Sequence, residues 1–166
     1  MNHFNILQKE GLYYQMKTKT HAKNEMKLVI PSRSANESFA RAAVAAFMSQ
    51  LDPTVEEMTD IKTAVSEAVT NCIVHAYRDT IGKIWIDAAI YDDGRIVVQI
   101  KDKGCGIPDV AQARQPLFTT GGSERAGLGL AVMESFTDRM TVRSAVGKGT
   151  TVTLEKRVAQ RYRHDS

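Results

Sequence analysis

Two glycine-bearing segments of this 166-residue chain have the composition of a phosphate-binding site, residues 102–108 (DKGCGIP) and residues 127–130 (GLGL). Glycine lets a backbone approach a ligand closely, and the start of a helix offers unpaired N–H groups and the positive end of its dipole to phosphate oxygens. We expect residues 127–130 to open a helix that runs from Leu128 to Phe136. The pattern indicates an anionic ligand, although each glycine pair alone is also typical of an ordinary turn.

Two better-known phosphate-binding patterns are absent from the sequence. It contains no G-x-x-x-x-G-K-[ST], since Lys148 is followed by Gly149. Its glycine spacing also differs from that of a dinucleotide fingerprint after a first strand. The candidate phosphate site therefore belongs to another class.

A row of polar residues, Glu67, Asn71 and His75, recurs at every fourth position. On a helix this spacing places all three on one side. The apolar residues of the same segment fall on another side of that helix: Met58, Ile61, Val65, Val69, Cys72 and Ala76. The polar row is therefore a candidate functional face, and a solvated face is the alternative that this helix alone leaves open.

The elements that would position these residues begin with a strand over residues 26–30, closed by Pro31, which cannot donate to a sheet ladder. Ser34 and Glu37 have the spacing of a capping box and predict the start of a first helix. We expect its core stripe to consist of residues spaced by four: Phe39, Ala43, Phe47 and Leu51.

A second helix is predicted to begin at Asp52 and Pro53 and to run to about Tyr77, with a further capping box formed by Thr54 and Glu57. It would carry the polar row.

Alternating apolar and polar residues predict two β-hairpins. The first covers residues 84–100 and turns at Asp93-Gly94, and the second pairs residues 140–144 with residues 150–154 across a turn at 146–149. Helices grouped together with mainly hairpin strands indicate an α+β fold, a two-layer sandwich.

Composition fits a single domain, with 43% hydrophobic and 25% charged residues. A domain of this length hides ~70% of the surface of its unfolded chain, so its core requires neither disulfides nor a structural metal. Cys72 and Cys105 form no C-x-x-C motif, which favours a reducing cytoplasm. The apolar run over residues 42–51 is far shorter than the ~20 residues of a membrane span, and the first fifteen residues lack the features of a secretory signal.

The net charge of +3 comes largely from lysines and arginines near the two ends of the chain. Such charge permits nucleic-acid binding. However, no aromatic platform or recognition helix accompanies it, so solvated basic termini are the favoured interpretation.

The order of the motifs carries more information than each motif alone. Glu67 and Asn71 on a long helix, D-x-G-x-G at residues 102–106 and G-L-G-L at residues 127–130 together resemble the GHKL superfamily of ATPases and kinases. The segments SEAVTNCIVHAY, GCGIPDVAQARQPLFTT and ERAGLGLAVME look like the anti-sigma factor serine kinases of spore-forming bacteria, and residues 114–120 (RQPLFTT) favour the anti-sigma F branch.

The resemblance implies a Bergerat-type ATP-binding fold, with a mixed, mainly antiparallel sheet covered on one face by helices. It covers residues 25–157. Residues 1–24 are expected to be a poorly ordered N-terminal extension, and residues 158–166 a basic tail.

The resemblance also implies a role for each motif residue. Glu67 would be the general base that takes a proton from a serine hydroxyl, and Asn71 would coordinate Mg²⁺. Asp102 would accept a hydrogen bond from the adenine amino group of ATP, with Thr150 nearby, and Arg125 would stabilise charge on the γ-phosphate. The other nucleotide-binding positions implied in the same way are Gly104, Gly106, Thr120, Gly127, Leu128, Gly129 and Leu130.

Residues 104–126 would form a mobile lid over the nucleotide, consistent with the glycine pair at 121–122. Lys103 departs from the acidic residue common at this position of the family, and the lid is about one residue shorter than in close relatives. Both departures bear on the details of lid closure and partner contact. His75 matches the family pattern, and we expect a structural role for it.

The implied protein is an anti-sigma factor and a protein serine kinase. With ATP bound, a cytoplasmic homodimer would sequester a sporulation sigma factor of the F type and would phosphorylate and inactivate an anti-anti-sigma factor. Arg41, on the first helix and with no salt partner at the fourth following residue, is the expected sigma contact. The alternatives are an anti-sigma B type stress-response kinase and an ATP-gated binding module without phosphotransfer. We expect neither direct nucleic-acid binding nor membrane binding.

Overall fold

The computed structural model of the chain describes residues 21–115 and 124–160, and of residues 124–128 it describes the backbone alone. The elements in chain order are β1 (Asn24–Pro31), α1 (Ala35–Met48), α2 (Val55–Asn71), β2 (Lys83–Ile90), β3 (Arg95–Lys101), α3 (Val110–Ala113), α4 (Glu124–Phe136), β4 (Arg139–Ala145) and β5 (Gly149–Arg157). A 3₁₀ turn, Ser49–Leu51, follows α1, and a π-helical turn, Cys72–Ala76, follows α2.

The five strands form one sheet in the order β1-β2-β3-β5-β4, and each neighbouring pair is antiparallel. Both predicted hairpins are present. In the second, Met140 stands opposite Leu154 and Val142 opposite Val152, as the alternation predicts. Because side chains alternate across a strand, this register places the apolar set of each hairpin on one face of the sheet.

Helices cover that apolar face. α2 buries Ile61, Ala64, Val65, Ala68 and Val69. The sheet contributes the buried residues Ile84, Ile86, Ala88 and Ile90 of β2 and Ile96, Val98 and Ile100 of β3. Fully burying a side chain of this kind contributes about 1.5–3 kcal/mol. The α+β two-layer sandwich is confirmed, whereas the described strands form an antiparallel sheet and not a mixed one.

The two predicted capping boxes have different outcomes. At α2 the box is present, because Thr54 Oγ1 accepts the Glu57 N–H at 2.9 Å and Glu57 Oε2 accepts the Thr54 N–H at 2.7 Å. At α1 the prediction is wrong, because Ser34 makes no side-chain capping bond and its own backbone is helical. The Glu37 carboxylate turns away and accepts a hydrogen bond from Ser66 on α2.

The predicted core stripe of α1 is wrong in part: Phe47 and Leu51 are partly buried against the core, but the fully buried row is shifted by one position. Its buried residues are Ala40, Val44 and Met48, whereas Phe39 is 53% exposed. Two adjacent rows spaced by four run along this apolar helix, and contact with α2 selects the row of smaller residues. Phe39 is therefore a surface residue.

Packing extends beyond the last strand. Val158 is buried, and its N–H donates to the Gly94 carbonyl at 2.9 Å. The N–H of Ala159 donates to Glu57 Oε1 at 3.0 Å. Within the described part of the chain, the helices are all too short or too polar to cross a membrane.

Candidate functional site

Glu67 and Asn71 lie one helical turn apart at the end of α2, where both side chains are half-buried. They face α4 at Gly129. A Cβ placed on Gly129 would lie 3.1 Å from Glu67 Oε2 and 3.3 Å from Asn71 Oδ1. Glycine at this position therefore gives the carboxylate and the amide room against the neighbouring helix. The predicted acidic, amide and glycine positions thus converge at one place.

α4 begins at Glu124, four residues before the predicted start at Leu128. The glycine motif consequently occupies the first two turns of the helix, and the unpaired N–H groups of the helix start belong to residues before Gly127. The Leu130 side chain is buried in the core, so this residue can face a ligand through its backbone only. Thr120 and the side chains of Arg125 and Leu128 lie outside the described residues.

Asp102, directly after β3, is the one acidic residue among the buried residues of the described chain, at 3% exposure. Its Oδ1 accepts the N–H of Gly104 at 2.9 Å and that of Thr150 at 3.2 Å. Its Oδ2 accepts the thiol of Cys72 at 3.5 Å. Asp102 and Thr150 are therefore neighbours, as predicted.

The loop after Asp102 is fastened to two other segments. The Ile107 N–H donates to Ser144 Oγ at 2.8 Å, and the Gly147 N–H donates to the Cys105 carbonyl at 2.8 Å, which fixes the loop to the β4–β5 hairpin. Gly106 lies between these points with a positive φ of 74°. This first part of the predicted lid is therefore held in place.

The next part of the predicted lid contains α3. Asp109 Oδ1 accepts the Gln112 N–H at 2.9 Å and caps this short helix. Arg114 Nη2 then lies 2.6 Å from Glu134 Oε1 on α4. Residues 116–123, the remainder of the lid before α4, lie outside the described residues.

Tyr77 is a site residue that sequence reasoning missed. Its hydroxyl donates to the Lys83 carbonyl at 2.7 Å and accepts the Lys103 N–H at 2.7 Å. Its ring fills the space beside Gly82, where a Cβ would lie 2.1 Å from the ring carbon Cε1. Tyr77 thereby ties the end of the α2 segment to the residue that follows Asp102. The one signal in the sequence that could have indicated this role is the position of Tyr77 at the predicted end of the helix that carries the polar row.

Cys72 was also missed as a site residue, because it was assigned to the apolar side of the helix. It is buried, as predicted, yet its thiol reaches Asp102. Burial, together with the nearby Asp102 carboxylate, raises the pKa of the Cys72 thiol well above its ordinary value. The sulfur is therefore a protonated donor at neutral pH.

The surroundings also shift the pKa values of two other titratable groups near the end of α2. Partial burial and the nearby charge of Arg78 lower the pKa of His75, which favours the neutral imidazole. Burial raises the pKa of Tyr77, so its hydroxyl stays protonated and can donate to Lys83. The structural role expected for His75 stays a prediction.

Arg41 lies on α1 with 40% of its side chain exposed. The fourth following residue offers no salt partner, but the fourth preceding one does, since the Arg41 Nε lies 3.7 Å from Glu37 Oε1. The same Glu37 oxygen accepts the Ser66 hydroxyl. Arg41 is thus linked through Glu37 to the residue that precedes Glu67.

The chain matches the family described as "Histidine kinase-like ATPase domain" over residues 30–156. It is 52% identical over 139 residues to the anti-sigma F factor of Geobacillus kaustophilus. The aligned region covers 83% of this chain and 95% of that protein. It is also 56% identical over 138 residues to the anti-sigma F factor of Caldanaerobacter subterraneus subsp. tengcongensis, with an aligned region that covers 82% of this chain and 96% of that protein.

Two solved structures of other proteins superpose on this chain and have the same fold. The RsbU and RsbW domains of a Mycobacterium tuberculosis protein superpose with a TM-score of 0.61 at 22% identity, over 82% of this chain and 32% of that one. The histidine kinase domain of the Erythrobacter litoralis blue-light activated histidine kinase superposes with a TM-score of 0.51 at 21% identity, over 89% and 70%. At these identities the likeness supports the fold alone.

Proposed function

Because this chain belongs to the histidine kinase-like ATPase family and, within it, to the anti-sigma F factors, we propose that it holds an F-type sporulation sigma factor and phosphorylates the antagonist of that complex, an anti-anti-sigma factor, on serine. The observation that carries the catalytic part of the proposal is the convergence of Glu67 and Asn71 on Gly129. This arrangement places a carboxylate and an amide oxygen beside the helix that bears the second glycine motif.

The Asp102 carboxylate is suited to accept a hydrogen bond from the adenine amino group of ATP. Its Oδ1 already receives two backbone N–H groups, whereas its Oδ2 receives a single thiol. A carboxylate oxygen has two lone pairs, so Oδ2 keeps acceptor capacity for an amino group. When bound, ATP would supply the phosphoryl group that is transferred. Gly104, Gly106 and Thr150 would line the base site, and the first turns of α4 would face the phosphates.

Asn71 fits a Mg²⁺ ion bound together with a nucleotide. Residues 21–115 and 124–160 contain no group of three or more His, Cys, Asp or Glu side chains that would hold a metal by themselves. Mg²⁺ in nucleotide sites is typically held by one or two protein oxygens, with phosphate oxygens and water completing the set. The Asn71 amide oxygen would supply such a ligand.

Glu67 would accept the proton of the attacking serine hydroxyl, since a carboxylate within reach of the nucleophile can act as a general base. Arg125, in the first turn of α4, would balance negative charge on the transferred group. The antagonist serine is the acceptor in this account, and its phosphorylation would inactivate the antagonist.

We place the protein in the cytoplasm as a homodimer, with Arg41 in the sigma contact. Replacing Arg41 by Glu removes the positive charge and opposes Glu37, so we expect sigma affinity to fall. Lys62→Glu makes the same charge change at an exposed position of α2 and serves as the matched control. If R41E and K62E both hold the sigma factor as the parent does, Arg41 is no sigma contact.

Capture of a purified F-type sigma factor by the parent protein, D102N and E67Q, with and without Mg·ATP, tests the binding arm. We expect ATP-dependent capture by the parent and by E67Q. D102N should bind ATP about 10-fold to 100-fold more weakly, because it loses a charged hydrogen-bond acceptor. A parent protein that binds no ATP, or holds no sigma factor, would contradict the proposal.

A further inference from the structure

The π-helical turn Cys72–Ala76 contacts the loop that follows β3 through successive residues. The Cys105 thiol donates to the His75 carbonyl at 3.1 Å, and the Cys105 N–H donates to the Ala76 carbonyl at 3.1 Å. Gly104 lies so close that a Cβ there would stand 2.3 Å from the Ala76 oxygen. A π-turn adds one residue to a helical turn, re-aims the carbonyls that follow, and often marks a functional site.

Cys72 opens this turn and directly follows Asn71. Its thiol reaches the Asp102 side chain, whereas His75 and Ala76 contact the loop through their backbone carbonyls. The other Asp102 oxygen is held by two backbone N–H groups. Without the thiol, Oδ2 would lose its side-chain partner, and the carboxylate would be held through Oδ1 alone.

We propose that Cys72 is a positioning residue for base recognition: its thiol holds Oδ2 of Asp102 in the orientation that accepts a hydrogen bond from the 6-amino group of a purine. This inference rests on the proposed ATP site. A thiol is a weak donor, so it orients the carboxylate without using its full acceptor capacity. The incoming amino group then becomes the stronger partner.

The chemical consequence is discrimination at position 6 of the purine. ATP presents a donor there, whereas ITP presents a carbonyl oxygen that would face a carboxylate oxygen. Leaving charged acceptors opposed or unpaired in a buried site is costly. A carboxylate held at both oxygens discriminates more strongly than one held at Oδ1 alone, so the ratio of ATP to ITP affinity reports on Cys72.

The test measures the dissociation constants of Mg·ATP and Mg·ITP for the full-length parent, C72A, C72V and C72S. We expect C72A and C72V to lower the ATP-to-ITP preference about threefold to tenfold, the size of one hydrogen bond. C72S, which restores a donor, should keep the preference of the parent. C72V removes the donor but fills the volume of the thiol, so it measures the same change in preference if C72A does not fold.

A matched control separates positioning from packing. Val65→Ala truncates a buried residue of α2, the helix that precedes Cys72. It should lower thermal stability to a similar degree as C72A and leave the ATP-to-ITP ratio unchanged.

Failure of this inference is distinguishable from failure of the ATP site itself. If the parent prefers ATP and both C72A and C72V retain its ratio, Cys72 does not position Asp102, although the ATP site stands. An equal loss of preference in V65A would also overturn the role, since the effect would then be one of packing. If the parent binds neither nucleotide, the proposed function falls and this inference falls with it.

Discussion

Glu67 Oε2 on α2 lies 3.1 Å from the point where a Cβ would stand on Gly129 of α4. The side chain proposed as the general base therefore packs directly against the second glycine motif. Asn71 Oδ1 lies almost as close, at 3.3 Å from the same point. Two segments more than fifty positions apart in the sequence thus form one side of the candidate site.

Gly129→Ala is predicted to reduce function more than stability. Alanine is favoured over glycine inside a helix by about 1 kcal/mol, and the nearest contacts are the ends of side chains that can move. Unfolding stability should therefore change little, whereas displacement of Glu67 and Asn71 should lower phosphotransfer at least tenfold. Ser135→Ala, on the exposed surface of the same helix, is the control. A G129A protein with parental transfer would show that the close approach is unimportant.

Tyr77→Phe should weaken both the fold and nucleotide binding. It removes the hydroxyl that joins the Lys83 carbonyl to the Lys103 N–H; because both hydrogen bonds are exposed to solvent, the cost is about 0.5–1.5 kcal/mol for each. Thermal unfolding and ATP titration measure the two effects. Tyr91→Phe, at a half-buried tyrosine that contacts Arg95 through its ring, should retain parental values for both. Equal behaviour of the two variants would refute the role of Tyr77.

The two cysteines should differ sharply in reactivity. Cys105 is exposed, whereas Cys72 is buried with a pKa raised by that burial and by Asp102. Because the thiolate is the reactive form, a thiol reagent at neutral pH should label Cys105 alone in the native protein and both cysteines after unfolding. Bound ATP should slow labelling of Cys105. Peptide mass spectrometry identifies the labelled positions, and rapid labelling of native Cys72 would contradict its burial.

Caps at the two long N-terminal helices should contribute unequally to stability. Thr54→Ala breaks the capping box of α2 and should cost about 0.5–2 kcal/mol of unfolding free energy. Ser34→Ala should cost much less, because Ser34 makes no side-chain capping bond. Denaturant unfolding of the pair measures the difference, and equal losses would mean that Ser34 caps α1 in solution.

Much of the fold was predictable from local patterns. The strict alternation in both hairpins determines which residues face the core, and the structure has Met140 opposite Leu154 as expected. The stripe of α1 was not predictable in the same way, because two rows with identical spacing are both apolar. Only tertiary contact with α2 buries Ala40 and leaves Phe39 exposed.

The candidate site was predictable where the motifs carry it and unpredictable where its support comes from other segments. Glu67, Asn71, Asp102 and Gly129 follow from motif order. The contact of Cys72 with Asp102 depends on a π-turn that has no signal in the sequence. The helix containing the second glycine motif begins earlier than expected, since glycine within a helix is disfavoured but tolerated.

Transfer of labelled γ-phosphate from Mg·ATP to the purified anti-anti-sigma factor, compared between the parent protein and E67Q, tests whether the protein is a serine kinase that uses Glu67 as its base. We expect label on one antagonist serine with the parent. With E67Q we expect a loss of at least about 100-fold, within the range assigned to general bases, while ATP binding and sigma capture persist. Parental transfer by E67Q would refute the assigned base. If the parent binds ATP and holds the sigma factor but transfers no label, the protein is an ATP-gated binding module and the kinase proposal is wrong.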